Sequence, residues 1–280
     1  MDILNTWDEE IFFKLYWGKK PCIIKNFITS KDCQKFDIDE LSTLALENDI
    51  VTRLIQYNHQ CPEELSLDHG PFEEEQLIGL PKSTPWSLLI QDADKKTDLF
   101  SNILKKFNKI PAPFFDDVMI SIGNINSGTG PHLDWYNVFI LQAKGTKNWK
   151  VETQKRSFQD HDDSIYENLE VKILKNFHPY TEHDLTAGEL LYIPPGHGHH
   201  GTSKSDLSMS FSIGYQGPRL TTMIETYLSK LIGNIHEDQR VNFDPNQDSS
   251  IDLSNWPKDL PIENKDIILE LIEIAKEQDY

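Results

Sequence analysis

The chain has 280 residues, of which 38% are hydrophobic and 10% aromatic. That is enough apolar material for one large folded domain or two modest ones, and too much for a wholly disordered chain. The 27 basic and 45 acidic residues give a formal net charge of −18, which repels a phosphate backbone, so we expect no direct nucleic-acid partner. A basic protein is the partner that this charge favours, although acidity also serves solubility alone.

The cysteines and the start of the chain predict a cytoplasmic protein. Cys22, Cys33 and Cys61 are odd in number and lack CxxC spacing, which suits a reducing compartment and argues against a disulfide framework or a zinc knuckle. The opening MDILNTWDEE is acidic and has no apolar signal segment. Because no apolar run approaches the roughly 18–20 residues that cross a bilayer, we expect no membrane association.

The N-terminal part of the chain alternates helical and extended patterns. Thr6 with Glu9 and Asp37 with Glu40 form possible capping boxes, and each predicts the start of a helix. Residues 57–85 are polar and contain proline, so we expect surface structure there. Two strands, CIIKNF (22–27) and VTRLIQ (51–56), are predicted before that stretch, and the short apolar segment PWSLLI (85–90) follows it.

From residue 117 onward, short apolar segments alternate with turn residues, which is typical of an all-β sandwich or barrel. A polar, irregular stretch at 154–183 interrupts this pattern. The predicted strands are VMISI (118–122), NVFILQA (137–143), NWKV (148–151), ELLYI (189–193) and SMSFSIGY (208–215).

After Pro218 the spacing of the apolar residues becomes helical. One apolar stripe runs from Leu220 to Leu231, and a last helix is predicted at about 264–277. We expect the stripe to form a homodimer interface, although it could instead pack on the β-core of its own chain. The chain therefore divides into a β-domain with N-terminal α/β elements at 1–217 and a helical region at 218–280.

The motif GPHLD at 130–134 carries the strongest chemical signal. His132 and Asp134 lie two residues apart, just before the predicted strand at 137–143. In an extended chain, residues i and i+2 point to the same face. An imidazole and a carboxylate are therefore expected to converge on one point.

A second source of imidazoles is the segment PPGHGHH, which offers His197, His199 and His200. Neighbouring antiparallel strands of a barrel would bring one of these rings to His132 and Asp134. Two histidines and one carboxylate on one face of an octahedron leave positions open for a bidentate 2-oxo acid and O₂. This is the facial triad of non-haem Fe(II) oxygenases.

Each motif by itself has a simpler interpretation. HxD alone is most often a hydrogen-bonded pair at a strand end, and HGHH alone is most often an exposed loop or an adventitious metal site. Their order on predicted strands, with a PPG turn before the distal histidines, favours a metal centre. Zinc could also bind such a set, but the chain has no HExxH motif and no obvious glutamate base.

A 2-oxo diacid bound at such a centre also needs a cation for its far carboxylate. Lys147 follows the turn after the strand that His132 precedes, and it could form that charge-assisted hydrogen bond. Lys144 and Lys150 compete for the same role. Ser121, on the preceding strand, could add a hydroxyl donor, and Asn137 could donate as well.

Several ordered blocks of the chain resemble JmjC-type ribosomal oxygenases, and within them the bacterial ribosomal-protein arginine hydroxylases. The likeness covers most of residues 7–233 and continues more weakly through 234–276. It implies a mainly β fold with flanking helices, in which a double-stranded β-helix (cupin or jelly-roll) core is followed by a helical dimerisation region. The matching blocks are WGKKPCIIKNF, VTRLIQ, DHGPFEE, PWSLLIQ, DDVMISIG, GPHLDWYNVFILQAKGTKNWKV, AGELLYIPPGHGHHG and MSFSIGYQGP.

The resemblance also implies a cofactor set, Fe(II) and 2-oxoglutarate with O₂, and the residues that hold it. His132, Asp134 and His199 match the iron ligands of the family. His199 is preferred over the other two histidines because the family pattern is PPG-x-x-H. Lys147 matches a basic residue that binds the far carboxylate of 2-oxoglutarate. That residue is usually arginine in the arginine hydroxylases, and lysine keeps its charge but loses its bidentate fork.

The substrate side is implied by the same resemblance. Asp117 and Tyr136, with Met119 nearby, match the positions against which the family places the substrate arginine. Asp117 could instead be a solvated carboxylate at a strand edge, and Tyr136 could be a core residue. The family's C-terminal winged-helix domain has no counterpart before Tyr280, so we expect it to be absent.

The leading hypothesis is a 2-oxoglutarate-dependent dioxygenase, a protein arginine 3-hydroxylase. The resemblance implies that it hydroxylates Cβ of an arginine on large-subunit ribosomal protein sixteen, a basic partner. Three alternatives stay open: the same chemistry on a histidine or another residue of another protein, a demethylation, and a non-catalytic cupin scaffold that binds metal.

Overall fold

The computed structural model describes residues 1–58 and 61–233. The residues up to Gly217 form one compact unit, and a second unit begins at Pro218. In the described part of the chain, no helix is long and apolar enough to cross a membrane. The helix predicted at 264–277 lies outside the described residues, as does most of the region at 218–280. The assignment of dimerisation to that region stays a prediction.

Helices of the first unit are short, and side-chain caps mark several of their starts. Asp8 caps α1, because its carboxylate accepts a hydrogen bond from the backbone N–H of Ile11 at 3.0 Å. The predicted capping box of Thr6 and Glu9 is therefore wrong. Asp37 caps α3 as predicted. The α-helices of the described residues are α1 Glu9–Leu15, α2 Ser30–Cys33, α3 Ile38–Ser42, α4 Glu74–Ile78, α5 Ser101–Leu104, α6 Phe158–Ser164 and, in the second unit, α7 Leu220–Gly233. Short 3-10 helices lie at Thr43–Leu46, Pro62–Glu64, Ala93–Lys95, Asp98–Phe100, Lys105–Phe107 and Ala112–Phe114.

Two sheets carry the fold of the first unit. The larger has the strand order β1-β2-β10-β7-β12-β6-β5-β3-β4, and the smaller has the order β11-β8-β9. Every strand pair is antiparallel except β1 with β2. The predicted mainly β jelly-roll with flanking helices is confirmed. The strands are β1 Asp2–Leu4, β2 Cys22–Ile24, β3 Thr52–Gln56, β4 Ser66–His69, β5 Ser87–Ile90, β6 Phe115–Asn124, β7 Asn137–Lys144, β8 Thr146–Glu152, β9 Tyr180–Thr186, β10 Leu190–Ile193, β11 His199–Ser203 and β12 Leu207–Tyr215.

Strand β7 is buried on both faces, which explains its nearly continuous apolar sequence. Phe139 on one face joins a large aromatic cluster, in which its ring lies 4.3 Å from that of Phe107. Val138 and Ile140 on the other face pack against Trp149 of the smaller sheet. The two sheets therefore face each other, and truncating a fully buried ring such as Phe139 to alanine would cost about 3–5 kcal/mol.

Several short elements were not predicted, among them β1, α2 and α5. Five others have sequences that carry no clear apolar alternation. Strand β4 and helix α4 lie in the polar stretch at 57–85, and α6 and β9 lie in that at 154–183. In β9, Leu185 is the one fully buried side chain, and the apolar partners come from β8. Strand β11 begins at His199, so the distal histidines lie on a strand of the smaller sheet.

Candidate metal and cofactor site

A cavity of about 320 Å³ lies between the two sheets. Strands β6, β7 and β12 form its wall on the larger sheet, and β8 and β11 form its wall on the smaller one. The loop at 129–136 and the segment at 171–173 complete the lining. All but one of the predicted site residues line this space, so the fold gathers residues that are far apart in the chain.

His132, Asp134 and His199 form one compact group in the cavity wall. His132 and His199 make an antiparallel bridge, with hydrogen bonds of 3.0 Å from His132 N and 2.7 Å from His199 N to the opposite carbonyl. One potential ligand atom of each residue lies within 4.8 Å of the others. Among the residues that the structure describes, this is the single group of three His, Cys, Asp or Glu side chains close enough to hold a metal ion.

Both imidazoles are held in the tautomer that a metal needs. The Nδ1–H of His132 donates to the Gly130 carbonyl at 2.9 Å, and that of His199 donates to the His197 carbonyl at 3.0 Å. The Nε2 atoms are therefore left as acceptors, which is the usual arrangement behind a metal-bound histidine. Burial lowers the pKa of His199 to about 4, so its ring is neutral near pH 7.

The two neighbouring histidines do not join this group. His197 is buried, and its Nδ1 donates to the carbonyl of Glu152 at 3.0 Å. His200 follows His199 along β11, so its side chain points to the opposite face of the strand. Its ring lies 5.9 Å from that of Tyr57. The strand geometry thus favours His199 as the distal ligand, because of these three histidines it is the one that lies beside His132 and Asp134. The motif alone does not show this.

Lys147 is a buried cation inside the cavity. Its side chain is 6% exposed, and its Nζ lies 3.4 Å from Ser121 Oγ and 5.1 Å from the centre of the Trp149 ring. It makes no ion pair within the described residues, and burial lowers its pKa to about 8. The competing lysines, Lys144 and Lys150, do not line the cavity.

Asn137 is the predicted site residue that the structure does not bring to the cavity. It lies on the same face of β7 as Phe139, opposite Val138 and Ile140, which do line the cavity. Its amide oxygen accepts a hydrogen bond from the Tyr192 hydroxyl at 2.5 Å. The prediction of Asn137 as a cofactor-binding donor is therefore wrong, because its side chain lies on the face of β7 away from the cavity.

Asp117, Tyr136 and Met119 all line the cavity. Asp117 and Tyr136 meet across Gly214, because a Cβ added there would lie 3.6 Å from Asp117 Oδ1 and 3.6 Å from Tyr136 Cε2. Burial, with smaller contributions from Asp116, Asp92 and Asp94, raises the pKa of Asp117. Burial also raises the pKa of Tyr136, so its hydroxyl stays protonated and can donate.

Several lining residues escaped the sequence analysis. Ser210, Ser212 and Gly214 of β12 and Arg53 of β3 all face the cavity. The signal for the first three was present in SMSFSIGY, where small residues occupy alternate positions of an otherwise apolar strand. Arg53 lies on β3, next to the edge strand of the larger sheet, and no local pattern marked it.

The residues present fit a divalent iron ion and a 2-oxo diacid. Two imidazole nitrogens and one carboxylate oxygen are donors that suit a first-row divalent ion. A buried ammonium without a counter-ion is costly, and a bound carboxylate beside Lys147 would remove that cost. Among the described residues no glutamate lines the cavity, which disfavours a zinc hydrolase with a glutamate base.

Comparison with known proteins supports the same interpretation. Residues 102–223 match the JmjC domain family. The chain is 31% identical over 241 residues to the ribosomal protein uL16 3-hydroxylase of Escherichia coli K12, and this match covers 82% of the chain and 60% of that protein. It is 28% identical over 234 residues to a probable ribosomal oxygenase of Haemophilus influenzae, covering 83% of the chain and 55% of that protein. The chain thus spans less than two thirds of the length of both relatives.

Solved structures agree. The ribosomal oxygenase YcfD from Escherichia coli, in complex with cobalt and 2-oxoglutarate, matches with a TM-score of 0.69 and 26% identity, over 99% of this chain and 68% of that one. Another structure of E. coli YcfD matches with a TM-score of 0.70 over 100% of this chain and 70% of that one. The chain therefore contains a region that matches the JmjC domain family within a jelly-roll core, and over most of its length it is similar to the ribosomal oxygenases.

Proposed function

We propose that the chain is an Fe(II)- and 2-oxoglutarate-dependent oxygenase that hydroxylates an arginine side chain of a basic ribosomal protein, with uL16 as the first candidate. The observation that carries the proposal is the single cavity that contains the group of His132, Asp134 and His199 together with the unpaired buried Lys147. Similarity to the E. coli uL16 3-hydroxylase supports the choice of substrate.

The cofactor half of the site would be held by the residues already described. His132, Asp134 and His199 would ligate Fe(II), which with 2-oxoglutarate and O₂ supplies the oxidising power to insert one oxygen atom into a C–H bond. The ammonium of Lys147 would pair with the far carboxylate of 2-oxoglutarate, and the Ser121 hydroxyl would donate to the same group. Burial of both residues keeps water away from this contact.

The substrate half would recognise a guanidinium. Asp117 is a partly buried carboxylate that forms no ion pair among the described residues, and Tyr136 offers a protonated hydroxyl beside it. Two such groups can orient a planar cation by charge-assisted hydrogen bonds. Met119 lies between Asp117 and Ser121 on the cavity face of β6, where it would contact the aliphatic stem of the arginine.

The test is turnover of a defined peptide. Purified protein with Fe(II), ascorbate and 2-oxoglutarate is incubated with uL16 peptides that contain arginine, and with matched peptides in which lysine replaces that arginine. We expect succinate release and a mass gain of about 16 Da, one oxygen atom, on the arginine peptide alone. A gain on a histidine would keep the chemistry and overturn the arginine assignment, and no succinate with any peptide would indicate a metal-binding scaffold.

The oligomeric state and the compartment are part of the same proposal. We propose a cytoplasmic homodimer whose interface includes the apolar stripe of α7, since Met223 is 52% exposed and Tyr227 is 46% exposed in the single chain. Light scattering should give twice the mass of one chain at micromolar concentration. The mass of a single chain would contradict the dimer and would mean that the apolar stripe makes some other contact.

A further inference from the structure

We propose that Glu152 and Arg156 are positioning residues for His199, acting through the turn that precedes it. They form a buried ion pair outside the cavity. Neither residue lines the cavity or belongs to the metal group, the name used here for His132, Asp134 and His199 together. The inference rests on the proposed metal site and adds the device that holds its distal ligand in place.

The ion pair is enclosed and nearly saturated with hydrogen bonds. The two side chains are 1% and 0% exposed. Arg156 Nε donates to Glu152 Oε2 at 2.8 Å, and Arg156 Nη2 donates to Oε1. The same guanidinium donates through Nη1 to Ser164 Oγ at 2.8 Å and through Nη2 to the Asn176 carbonyl. A bidentate pair with this many hydrogen bonds is rigid, because any rotation breaks several of them together.

Both members of the pair bind the turn at 196–198 through their backbones. Arg156 N donates to the Gly196 carbonyl at 2.8 Å, and Glu152 N donates to the Gly198 carbonyl at 2.8 Å. The Glu152 carbonyl in turn accepts the imidazole N–H of His197 at 3.0 Å. These contacts place both backbones directly against the residues that lead into His199.

The carboxylate itself touches the residue next to His199. A Cβ added to Gly198 would lie 2.6 Å from Glu152 Cδ and 2.6 Å from Oε2, so only glycine leaves room for the carboxylate. One residue further on, His199 is held by the His197 carbonyl. The path from Glu152 and Arg156 to the His199 imidazole therefore consists of three hydrogen bonds and one close contact with the turn at 196–198, the turn backbone, and the hydrogen bond from His199 to the His197 carbonyl.

The pair also reaches the segment before the other histidine. His178 N donates to Glu152 Oε1 at 2.7 Å, and the chain between Arg156 and His178 returns to the cavity at 171–173. Leu174 N then donates to the Pro131 carbonyl at 2.8 Å, immediately before His132. Loss of the pair should therefore loosen both segments that supply imidazoles, with the larger effect at His199.

The experiment measures metal binding in the absence of turnover. Co(II), which is stable in air, is titrated into the full chain and followed by its visible absorption, and the unfolding temperature of the metal-free protein is recorded. The first variant is Glu152→Gln, which keeps the shape of the side chain but removes its charge. The second is Gly198→Ala, which keeps both charged residues but places a methyl group where the Glu152 carboxylate lies. The control is Phe36→Leu, a core substitution in the aromatic cluster away from the cavity.

We expect both test variants to raise the Co(II) dissociation constant about 10- to 100-fold, as for other groups that orient metal ligands, and to change the Co(II) absorption bands. Phe36→Leu should lower the unfolding temperature as much as the test variants do, or more. Its Co(II) dissociation constant should nevertheless stay within about twofold of the wild-type value. Wild-type Co(II) affinity and spectrum in a folded variant would overturn the positioning role, and Gly198→Ala decides if Glu152→Gln does not fold. Failure of the wild-type chain to bind Co(II) would instead overturn the proposed function.

Discussion

Lys147 and Asp117 lie in one cavity, and burial acts on their charges in opposite directions. It lowers the pKa of the lysine to about 8 and raises the pKa of the aspartate. Ser121, beside Lys147, and Asp117 are four residues apart on one face of β6, so these two ends of the cavity are about 13 Å apart. Neither charge has an ion-pair partner among the described residues.

A cavity with a cation at one end and a carboxylate at the other, neither in an ion pair among the described residues, is suited to two guests of opposite charge. The metal group connects the ends, since the His199 ring lies 6.1 Å from the Trp149 ring near Lys147, while Asp134 lies near enough to Tyr136, beside Asp117, to help raise the pKa of that tyrosine. Bringing a diacid and a guanidinium to opposite sides of one ion is the arrangement that the proposed hydroxylation needs. Single substitutions can remove the charge at each end separately, and the variants below do so.

The largest expected effect is loss of the connecting metal group. In His132→Ala or Asp134→Ala, two ligands remain, too few to hold the ion, so we expect 2-oxoglutarate turnover to fall by more than about 100-fold. Succinate release measures this, and circular dichroism checks the fold. His183→Ala, which removes a β9 histidine that pairs with Glu189 outside the cavity, is the control. Turnover close to that of the wild type in either variant would rule out the metal group.

The cationic end is tested by Lys147→Met, which keeps the length of the side chain and removes the charge. A charge-assisted hydrogen bond contributes about 1.5–3 kcal/mol, so the dissociation constant for 2-oxoglutarate should rise about 10- to 150-fold. Lys150→Met, on the opposite face of β8, is the matched control. An unchanged constant would remove Lys147 from the site. The metal-free protein should not lose stability, because the substitution removes an unpaired buried charge.

The metal group and the cationic end could be anticipated from local sequence, and the reason is physical. In an HxD motif before a strand, the two-residue repeat of an extended chain is enough to point the histidine and the aspartate to the same side. The structure does bring His132 and Asp134 together, and His199 joins them. The choice of His199 needed more, because its strand starts at the histidine itself and carries no apolar pattern. Register with β8 decides which of three neighbouring histidines points inward.

The same rule failed for Asn137, and the failure is instructive. The two-residue repeat of a strand places alternate side chains on the same face, but it does not indicate which face borders the cavity when both faces are apolar. Strand β7 is buried on both sides, so its sequence gave no sign that Phe139 faces the aromatic cluster and Val138 the cavity. Arg53 comes from β3, next to the edge of the larger sheet, so only the assembled sheet shows that it faces the cavity.

The acidic end is tested by Asp117→Asn, which keeps the shape and removes the charge. We expect kcat/KM for an arginine peptide to fall about 10-fold, roughly the difference between a charge-assisted and a neutral hydrogen bond. Uncoupled 2-oxoglutarate turnover should stay within about twofold, because the cationic end is untouched. Asp39→Asn, at an exposed position of α3 that does not line the cavity, is the control. Equal losses in both variants would indicate general surface attraction instead of recognition by Asp117.

The pH dependence of 2-oxoglutarate binding is a smaller effect at the cationic end. The pKa of Lys147 is lowered to about 8, and the anion binds the ammonium form. The dissociation constant should therefore be flat below about pH 8 and rise up to about 10-fold per unit above it. Lys147→Arg should abolish the rise, because a guanidinium keeps its charge up to about pH 12. A rise that persists in Lys147→Arg would assign the titration to another group.

The smallest expected effect is that of Tyr136→Phe at the acidic end. Loss of one hydroxyl hydrogen bond contributes about 1 kcal/mol, so kcat/KM for the arginine peptide should fall about fivefold. Tyr215→Phe, in the aromatic cluster on the other face of the sheet, is the control. The hydroxyl of Tyr136 also lies near Asp134, which helps to raise the pKa of the tyrosine, so uncoupled turnover separates its two possible roles. If that turnover falls as much as peptide turnover, Tyr136 acts by orienting the metal group, and guanidinium recognition falls to Asp117 alone.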